Sequence, residues 1–125
     1  MIKRIFYILC FISLNLFCSE GTTPNLIAAQ SDGRKIFLEE IPTGGFRLSR
    51  HNLDGSIDNT FGINGVAAFT LSHATPHRIQ INPINNEIHV IGSVFFGKTE
   101  QEFETKFTPD GILDQKFGQN GVIIK

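Results

Sequence analysis

The feature that most constrains this chain is a motif that occurs twice. The segment LDGSIDNTFGINGV at 53–66 returns as PDGILDQKFGQNGV at 109–122. Over the 13 positions that begin at Asp54 and at Asp110, eight residues are identical, all at a separation of 56. Composition alone does not place identities at one fixed spacing, so the chain contains two copies of one structural unit.

A weaker sequence similarity precedes the two copies of the motif. RKIFL at 34–38 faces NEIHV at 86–90, at a spacing of 52 instead of 56. The difference falls where IPTGG is matched by the longer GSVFFGKTEQ, and repeated units tolerate such insertions in loops. We therefore place the two repeats at about 26–71 and 77–125.

Each repeat is predicted to consist of short strands separated by turns. The predicted strands are NLIAA, KIFLEE, FRLSRH and GVAAFTL in the first copy, and HRIQI, EIHVIGSVFF, EFETKF and GVIIK in the second. Helical periodicity of useful length is absent outside the N-terminal segment. The sequence thus predicts an all-β fold with two tandem antiparallel units in residues 22–125.

The N-terminus is typical of a secretory signal peptide. A basic start, MIKR, precedes a 13-residue apolar run from Ile5 to Phe17, and the turn-prone CSEGTTPN follows. The run is short for a membrane span. Cleavage after Gly21 suits the preference for small residues, which gives a signal peptide at 1–21 and an extracytoplasmic location: secreted, periplasmic or at the cell surface. An uncleaved N-terminal helix or anchor is the alternative.

Both cysteines, Cys10 and Cys18, precede this cleavage site, so the processed chain is expected to contain no disulfide. A cysteine at the end of a signal segment resembles the acceptor of a bacterial lipoprotein. The resemblance is imperfect, because Phe17 stands where a small residue is expected. Membrane attachment is therefore expected only if Cys18 is lipidated or the signal segment is retained.

The charge balance argues against nucleic-acid partners. The net charge is −1 and the isoelectric point is near 6.4, whereas binding to DNA or RNA needs clustered Lys and Arg. Hydrophobic residues make up 41% of the chain and include 12 Phe, enough for a packed core.

The aspartates of the repeated motif could in principle belong to a calcium-binding loop. Asp54 and Asp58 lie four residues apart around a glycine, but no further acid follows at the positions that an EF-hand loop requires. Asp-Gly and Asn-Gly are instead turn dipeptides. The motif is predicted to be a structural turn in both copies, with Phe61 and Phe117 buried against the sheet.

The histidines form no metal-binding pattern. His73 and His77 have helical spacing, but Pro76 removes the helix that would align them, and His51 and His89 fall on separate predicted strands. No phosphate-binding loop or nucleophile motif is present. The sequence predicts no catalytic, cofactor-binding or metal-binding residues, and no enzyme activity.

The pattern FRLSRHNLDGSIDNTFGINGV, preceded by SDGRKIFL, resembles the delta-60 repeat, a bacterial repeat with the signature Asp-Gly-Ser-Leu-Asp-x-x-Phe-Gly-x-x-Gly. The resemblance covers 26–71 and 77–125, nearly all of the chain after the signal segment. It implies four-stranded, propeller-type blades in an extracytoplasmic protein. It implies no catalytic function.

The two copies differ in the strand before the turn. His51 stands where the second copy has Phe107, and Glu104 stands where the first copy has Leu48. The inward faces therefore do not superimpose, and because a one-residue slip reverses every side chain, we expect one of these strands to be shifted, bulged or at an edge.

Two repeats are fewer than a closed propeller needs, since propellers have about four to eight blades. Two units leave two open flanks. Three arrangements follow: the chain assembles with copies of itself or another propeller-like protein, it is a truncated remnant, or its two units pack face to face as a small sandwich.

Two functions remain open at this point. The first is an exported, non-catalytic repeat module with a structural or protein-interaction role, which pairs with itself or another β-repeat protein through open edge strands. The second is a domain that binds a small ligand or glycan, with or without hydrolysis, through the segment 95–102. That alternative requires a concave polar pocket near Lys98, Glu100 and Glu102.

Overall fold

The computed structural model describes residues 26–125, so the predicted signal peptide (1–21) and Cys18 lie outside the described residues. This part of the chain consists of strands and turns, with no helix. The strands of the first sheet are β1 (Leu26–Ala29), β2 (Lys35–Glu40), β3 (Gly45–His51) and β4 (Val66–Thr70). The strands of the second sheet are β5 (Ala74–Ile81), β6 (Ile88–Phe96), β7 (Thr99–Phe107) and β8 (Val122–Ile124).

Each sheet is antiparallel and follows chain order. The prediction of an all-β fold with two tandem antiparallel units is therefore confirmed. The strands arise from alternating side chains: in β2, Ile36 and Leu38 are buried while Lys35 and Glu39 are exposed. Successive strand residues point to opposite faces, so each sheet has an inner face toward the other sheet and an outer face.

The insertion in the second copy lengthens two strands instead of a loop. Phe96 pairs with Thr99, which leaves a two-residue turn between β6 and β7. The segment GSVFFGKTEQ is thus mostly strand, and its expected role as the longer loop is wrong. At the other end of the repeat, β5 begins at Ala74, before the predicted HRIQI.

The register before the turn differs by one residue between the two copies, as the sequence led us to expect. Ile36 pairs with Arg50, whereas Ile88, its equivalent at a spacing of 52, pairs with Phe107 and not with Lys106, the equivalent of Arg50. Both β3 and β7 are inner strands of their sheets, with an unbroken register against β2 and β6 respectively. The one register irregularity within the two described sheets is a bulge in β5 between Pro76 and Arg78.

In β3 and β7 the two sheets bury opposite faces of the repeat. In β3 the buried side chains include Phe46, Leu48 and Arg50, whereas in β7 they are Phe103, Thr105 and Phe107. Subtracting the repeat spacing of 56 places the β7 set at positions 47, 49 and 51 of β3. At these strands the sheets therefore stack face to back, as units related by a rotation do.

One hydrophobic core joins the two sheets. The Phe46 ring is 6.4 Å from that of Phe103 and 6.0 Å from that of Phe107, between ring centroids. Backbone approach within 8 Å between strands of different sheets is confined to β5 against β1, β2 and β3. β5 thus supplies the close backbone contacts between the strands of the two sheets.

No helix capable of crossing a membrane occurs among residues 26–125.

Candidate interaction site

The repeated motif forms the same turn in both sheets. Asp58 N–H donates to the Arg50 carbonyl and Asp114 N–H to the Lys106 carbonyl, both at 2.9 Å. Asn64 and its equivalent Asn120 have φ of 53° and 56°, a left-handed conformation that asparagine tolerates. The prediction that this motif is turn architecture is confirmed.

The acids of the first motif accept hydrogen bonds from their own turn. Asp54 accepts from the Ser56 N–H and hydroxyl at 2.9 and 2.6 Å. Asp58 accepts from the Thr60 N–H and hydroxyl at 3.0 and 2.6 Å. The Thr60 hydroxyl, its N–H and the Arg50 guanidinium hold the pKa of Asp58 far below its ordinary value, against the opposing effect of burial. Its carboxylate is therefore ionised at any pH near neutrality.

Arg50 is the centre of a buried cluster on the first sheet, formed with Asp58, Phe61 and Gln30. Arg50 Nε donates to Asp58 at 2.9 Å and its Nη1 to Gln30 Oε1 at 3.2 Å. The guanidinium carbon lies 5.1 Å from the centroid of the Phe61 ring, a cation–π distance. Arg34 adds a second cation, 2.6 Å from Asp58. The cluster thus pairs its buried charges, as burial requires.

The turn 109–111 of the second repeat closes over this cluster. The Pro109 carbonyl accepts from Arg50 at 3.0 Å and from Gln30 at 2.9 Å. The Asp110 carboxylate lies 3.1 Å from Arg50 Nη2, and its carbonyl accepts from the Gly62 N–H at 2.8 Å. We call this contact between the turn 109–111 and the Arg50 cluster the joint.

The second sheet carries an equivalent cluster that no described residue covers in the same way. Lys106, Asp114 and Phe117 occupy the positions of Arg50, Asp58 and Phe61. Lys106 Nζ lies 5.6 Å from the centroid of the Phe117 ring and 3.7 Å from Asp114. Since all three side chains are half-buried, whereas their counterparts are buried, we call them the uncovered cluster.

The first sheet carries an equivalent turn that contacts nothing comparable. Residues 53–55 correspond to the turn 109–111, and all three are exposed. A methyl group added at Gly55 would meet no atom within 4 Å, whereas one added at Gly111 would meet Phe61 Cζ at 2.8 Å. We call 53–55 the free turn.

The outer faces of the two sheets differ in character. The outer face of the first sheet is partly apolar and includes Ile27, Phe37, Arg47, Ser49, His51 and Val66. The outer face of the second sheet is more charged and includes His89, Ile91, Glu102, Glu104, Lys106 and Ile123. At the spacing of 56, the outer residues of β3 and of β7 are the equivalents of residues that the other sheet buries.

The structure gives the histidines separate neighbours. His51 packs against Phe37 with ring centroids 4.2 Å apart, His77 forms a hydrogen bond with Ser93 at 2.9 Å, and His89 forms one with Glu104 at 2.8 Å. No group of three or more His, Cys, Asp or Glu side chains placed to hold a metal ion occurs among residues 26–125.

The segment 95–102, proposed as a ligand-binding loop, forms the tip of the β6–β7 hairpin. Lys98 lies in the two-residue turn, and residues 95–100 are all exposed. Glu102 lies on the outer face, where its carboxylate is 3.7 Å from the Lys125 ammonium. The segment is therefore a projecting hairpin.

The sequence indicated the turn but not the cluster beneath it. Arg50 and Gln30 were missed, because a charged residue in a strand and an amide at a strand end are both ordinary surface features. One signal was present: Arg50, Asp58 and Phe61 each have a chemically equivalent partner at a spacing of 56. Because both repeats keep a cation, an acid and an aromatic ring at these three positions, the three side chains are expected to contact one another.

No protein-family model, no curated protein and no solved structure matches this chain.

Proposed function

We propose that the chain is an exported, non-catalytic module of the delta-60 repeat type that acts by binding another β-repeat surface. The resemblance of its repeats to that family and the signal-like segment 1–21 support the family and the location. One observation carries the interaction role: the two halves of the joint each recur at a place where no described residue completes them.

The sheet edges support the same role. Within the described residues, β1, β4, β5 and β8 are the outermost strands of the two sheets, and each pairs along one side alone. An unpaired strand edge offers a row of backbone donors and acceptors to another chain. The Ile27 and Phe96 side chains on or beside these edges are 46% and 49% exposed, so apolar area is available for burial.

The test is the intact mass and assembly state of the processed protein, purified gently from its native host. We expect a mass that matches a chain beginning near residue 22, or a lipid adduct if Cys18 is the acceptor. In sedimentation we expect a species larger than one chain, either an oligomer or a complex with another β-repeat protein. A strict monomer at every concentration, with no partner co-purified, would overturn the proposal.

A further inference from the structure

We propose that the partner is a second copy of this chain, and that the free turn of one copy docks on the uncovered cluster of the other. The first sheet of one molecule then stacks on the second sheet of the next, head to tail. This inference rests on the proposed function, and it adds the identity of the partner and the contact that joins the two.

The joint inside the chain supplies the template for this contact. There, Arg50 and Gln30 donate to the Pro109 carbonyl, Arg50 pairs with the Asp110 carboxylate, and Gly62 donates to the Asp110 carbonyl. Three donor residues of the first repeat thus bind two backbone carbonyls and the Asp110 carboxylate of the turn 109–111.

The same donors recur on the second sheet. Lys106 occupies the position equivalent to Arg50, and Gly118 the position equivalent to Gly62, each at a spacing of 56. Asn82 stands for Gln30, since each directly follows the first strand of its sheet. A lysine can supply the positive charge at this position, although it lacks the planar fork of arginine.

The free turn retains the features that the joint uses. Asp54 and Gly55 are identical to Asp110 and Gly111, and Leu53 replaces Pro109 without loss of the carbonyl. The backbone geometry is also retained, because Gly55 and Gly111 have φ of 91° and 89°. The absent side chain of Gly55 would let the turn approach the Phe117 ring, as Gly111 approaches Phe61.

A second observation, at a different place on the sheets, favours the same pairing. Phe46 and Phe103 stack across the core inside the chain. At a spacing of 56, the equivalent of Phe46 is Glu102 and the equivalent of Phe103 is Arg47. When a first sheet stacks on the second sheet of another copy, this apolar pair is replaced by an acid facing a base. Arg47 and Glu102 each also lie near an opposite charge on their own sheet, Glu39 at 3.6 Å and Lys125 at 3.7 Å. Stacking brings the base of one pair against the acid of the other, which favours one partner and one register.

A contact between two different surfaces of one chain repeats with every added copy. The assembly closes if the rotation between successive sheets completes a circle.

The experiment compares the processed wild-type protein with Arg47→Glu and Glu102→Arg by analytical ultracentrifugation. Each reversal places like charges against each other in the proposed contact, so each variant alone should associate about tenfold more weakly or worse. In an equimolar mixture, the acid introduced at position 47 of one variant meets the base introduced at position 102 of the other. At the next contact the native Arg47 meets the native Glu102. We therefore expect the mixture to recover association, in oligomers that contain equal numbers of the two variants in alternation.

Two further variants act as controls. Asp54→Asn should weaken association, because it removes the carboxylate that corresponds to Asp110 in the joint, and it should leave the circular dichroism of the folded chain unchanged, because Asp54 is exposed. Lys98→Glu, at the exposed hairpin tip, should leave association unchanged.

The outcomes separate this inference from the proposed function. A wild-type oligomer that is insensitive to both reversals would overturn the assigned contact and leave the interaction role standing. A wild-type protein that is monomeric alone but binds another β-repeat protein from its host would overturn self-assembly. Recovery in the mixture, with loss in each single variant, is the result that the inference requires.

Discussion

Arg50 shows, at the scale of one residue, how this chain places a charge in its core. The side chain is 2% exposed, and burying a charge is costly unless it is paired and hydrogen-bonded. Its Nε donates to Asp58, its Nη atoms reach Gln30, Pro109 and Asp110, and the Phe61 ring covers one face. Arginine suits this position because its planar fork serves several acceptors at once.

Arg50 and its repeat equivalent Lys106 should differ in how much stability is lost when each is replaced by alanine. We expect Arg50→Ala to lower the free energy of unfolding by about 3 kcal/mol, because it removes a buried partner of Asp58 and opens the joint. The equivalent Lys106→Ala should cost no more than about 1 kcal/mol, since its ion pairs are long and half-exposed. Urea unfolding followed by far-ultraviolet circular dichroism measures both, and equal losses would contradict the buried role of Arg50.

Asp58 makes the stability depend on acid pH. Because its pKa is lower in the folded chain than in the unfolded chain, its stabilising effect is complete above the unfolded value, about 4. The effect is lost progressively as the pH falls through that value toward the folded one. We expect Asp58→Asn to be less stable than wild type at neutral pH and to lose less stability between about pH 5 and 2.

The acid dependence should not vanish in this variant. The pKa values of Asp32 and Asp54 are also lowered, by the Arg34 N–H and the Ser56 hydroxyl respectively, and both groups remain. Melting temperatures across this pH range decide the matter; parallel curves for Asp58→Asn and wild type would refute the role of Asp58.

At the scale of an element, the repeat turn serves two purposes in one chain. Its backbone bonds and left-handed residues are the same in both copies, so the local sequence determines its shape. Its surroundings differ, because the turn 109–111 lies in the joint while the free turn lies in solvent. Matched substitutions in the two turns therefore separate the free-energy cost of straining the turn from that of disturbing the joint.

Gly55→Ala and Gly111→Ala perform this comparison. Each places a methyl group at nearly the same positive φ, so each carries the same backbone strain, about 1 kcal/mol or more. At Gly111 the methyl also meets Phe61 at 2.8 Å and the Gly62 nitrogen at 2.9 Å. We expect Gly111→Ala to cost a further 1 to 3 kcal/mol, roughly the cost of overpacking a core. Chemical denaturation measures the free energy of unfolding of both variants. Equal values would mean that the joint accommodates the added methyl group without loss of stability.

At the scale of the whole molecule, the two sheets share one core and one joint. Phe46 of the first sheet packs on Phe103 and Phe107 of the second, and Arg50 is satisfied by groups from both repeats. Neither sheet therefore completes its buried face alone. Repeat proteins gain much of their stability from such contacts between neighbouring units.

We expect the two sheets to unfold together. Differential scanning calorimetry of residues 22–125, at a concentration where the chain is monomeric, should give one transition with the calorimetric enthalpy equal to the van't Hoff enthalpy. Two resolved transitions, or an amide-exchange pattern in which one sheet opens while the other stays protected, would show that the sheets are independent.

Several structural features were predictable from the sequence because they depend on local chemistry. Turn residues with positive φ favour Gly and Asn, so the motif from Asp54 to Val66 could be recognised as a turn without knowledge of its surroundings. Alternation in KIFLEE gave β2 in the same way. The site was less accessible: the sequence indicated that Phe61 would be buried, but not that Arg50 would lie beneath it.

The mismatch between β3 and β7 was predictable from the sequence, but its consequence was not. The difference between Leu48 and Glu104 indicates a shifted strand, and the register of β6 on β7 differs by one residue from that of β2 on β3. The sequence does not show that β3 and β7 then bury opposite faces, because that depends on how the two sheets stack.

By itself, the sequence determined the strands, the turns and the division into two units, because these follow from side-chain alternation and from the φ preferences of Gly and Asn. The tertiary structure alone decided which face of each sheet is inside, which turn closes the joint and which cluster is left uncovered. Those outcomes depend on contacts between residues far apart in the chain, such as Arg50 and Pro109. Two copies of one motif with the same local chemistry thus receive different environments, because the stacking of two units covers one copy of the turn and leaves the other free.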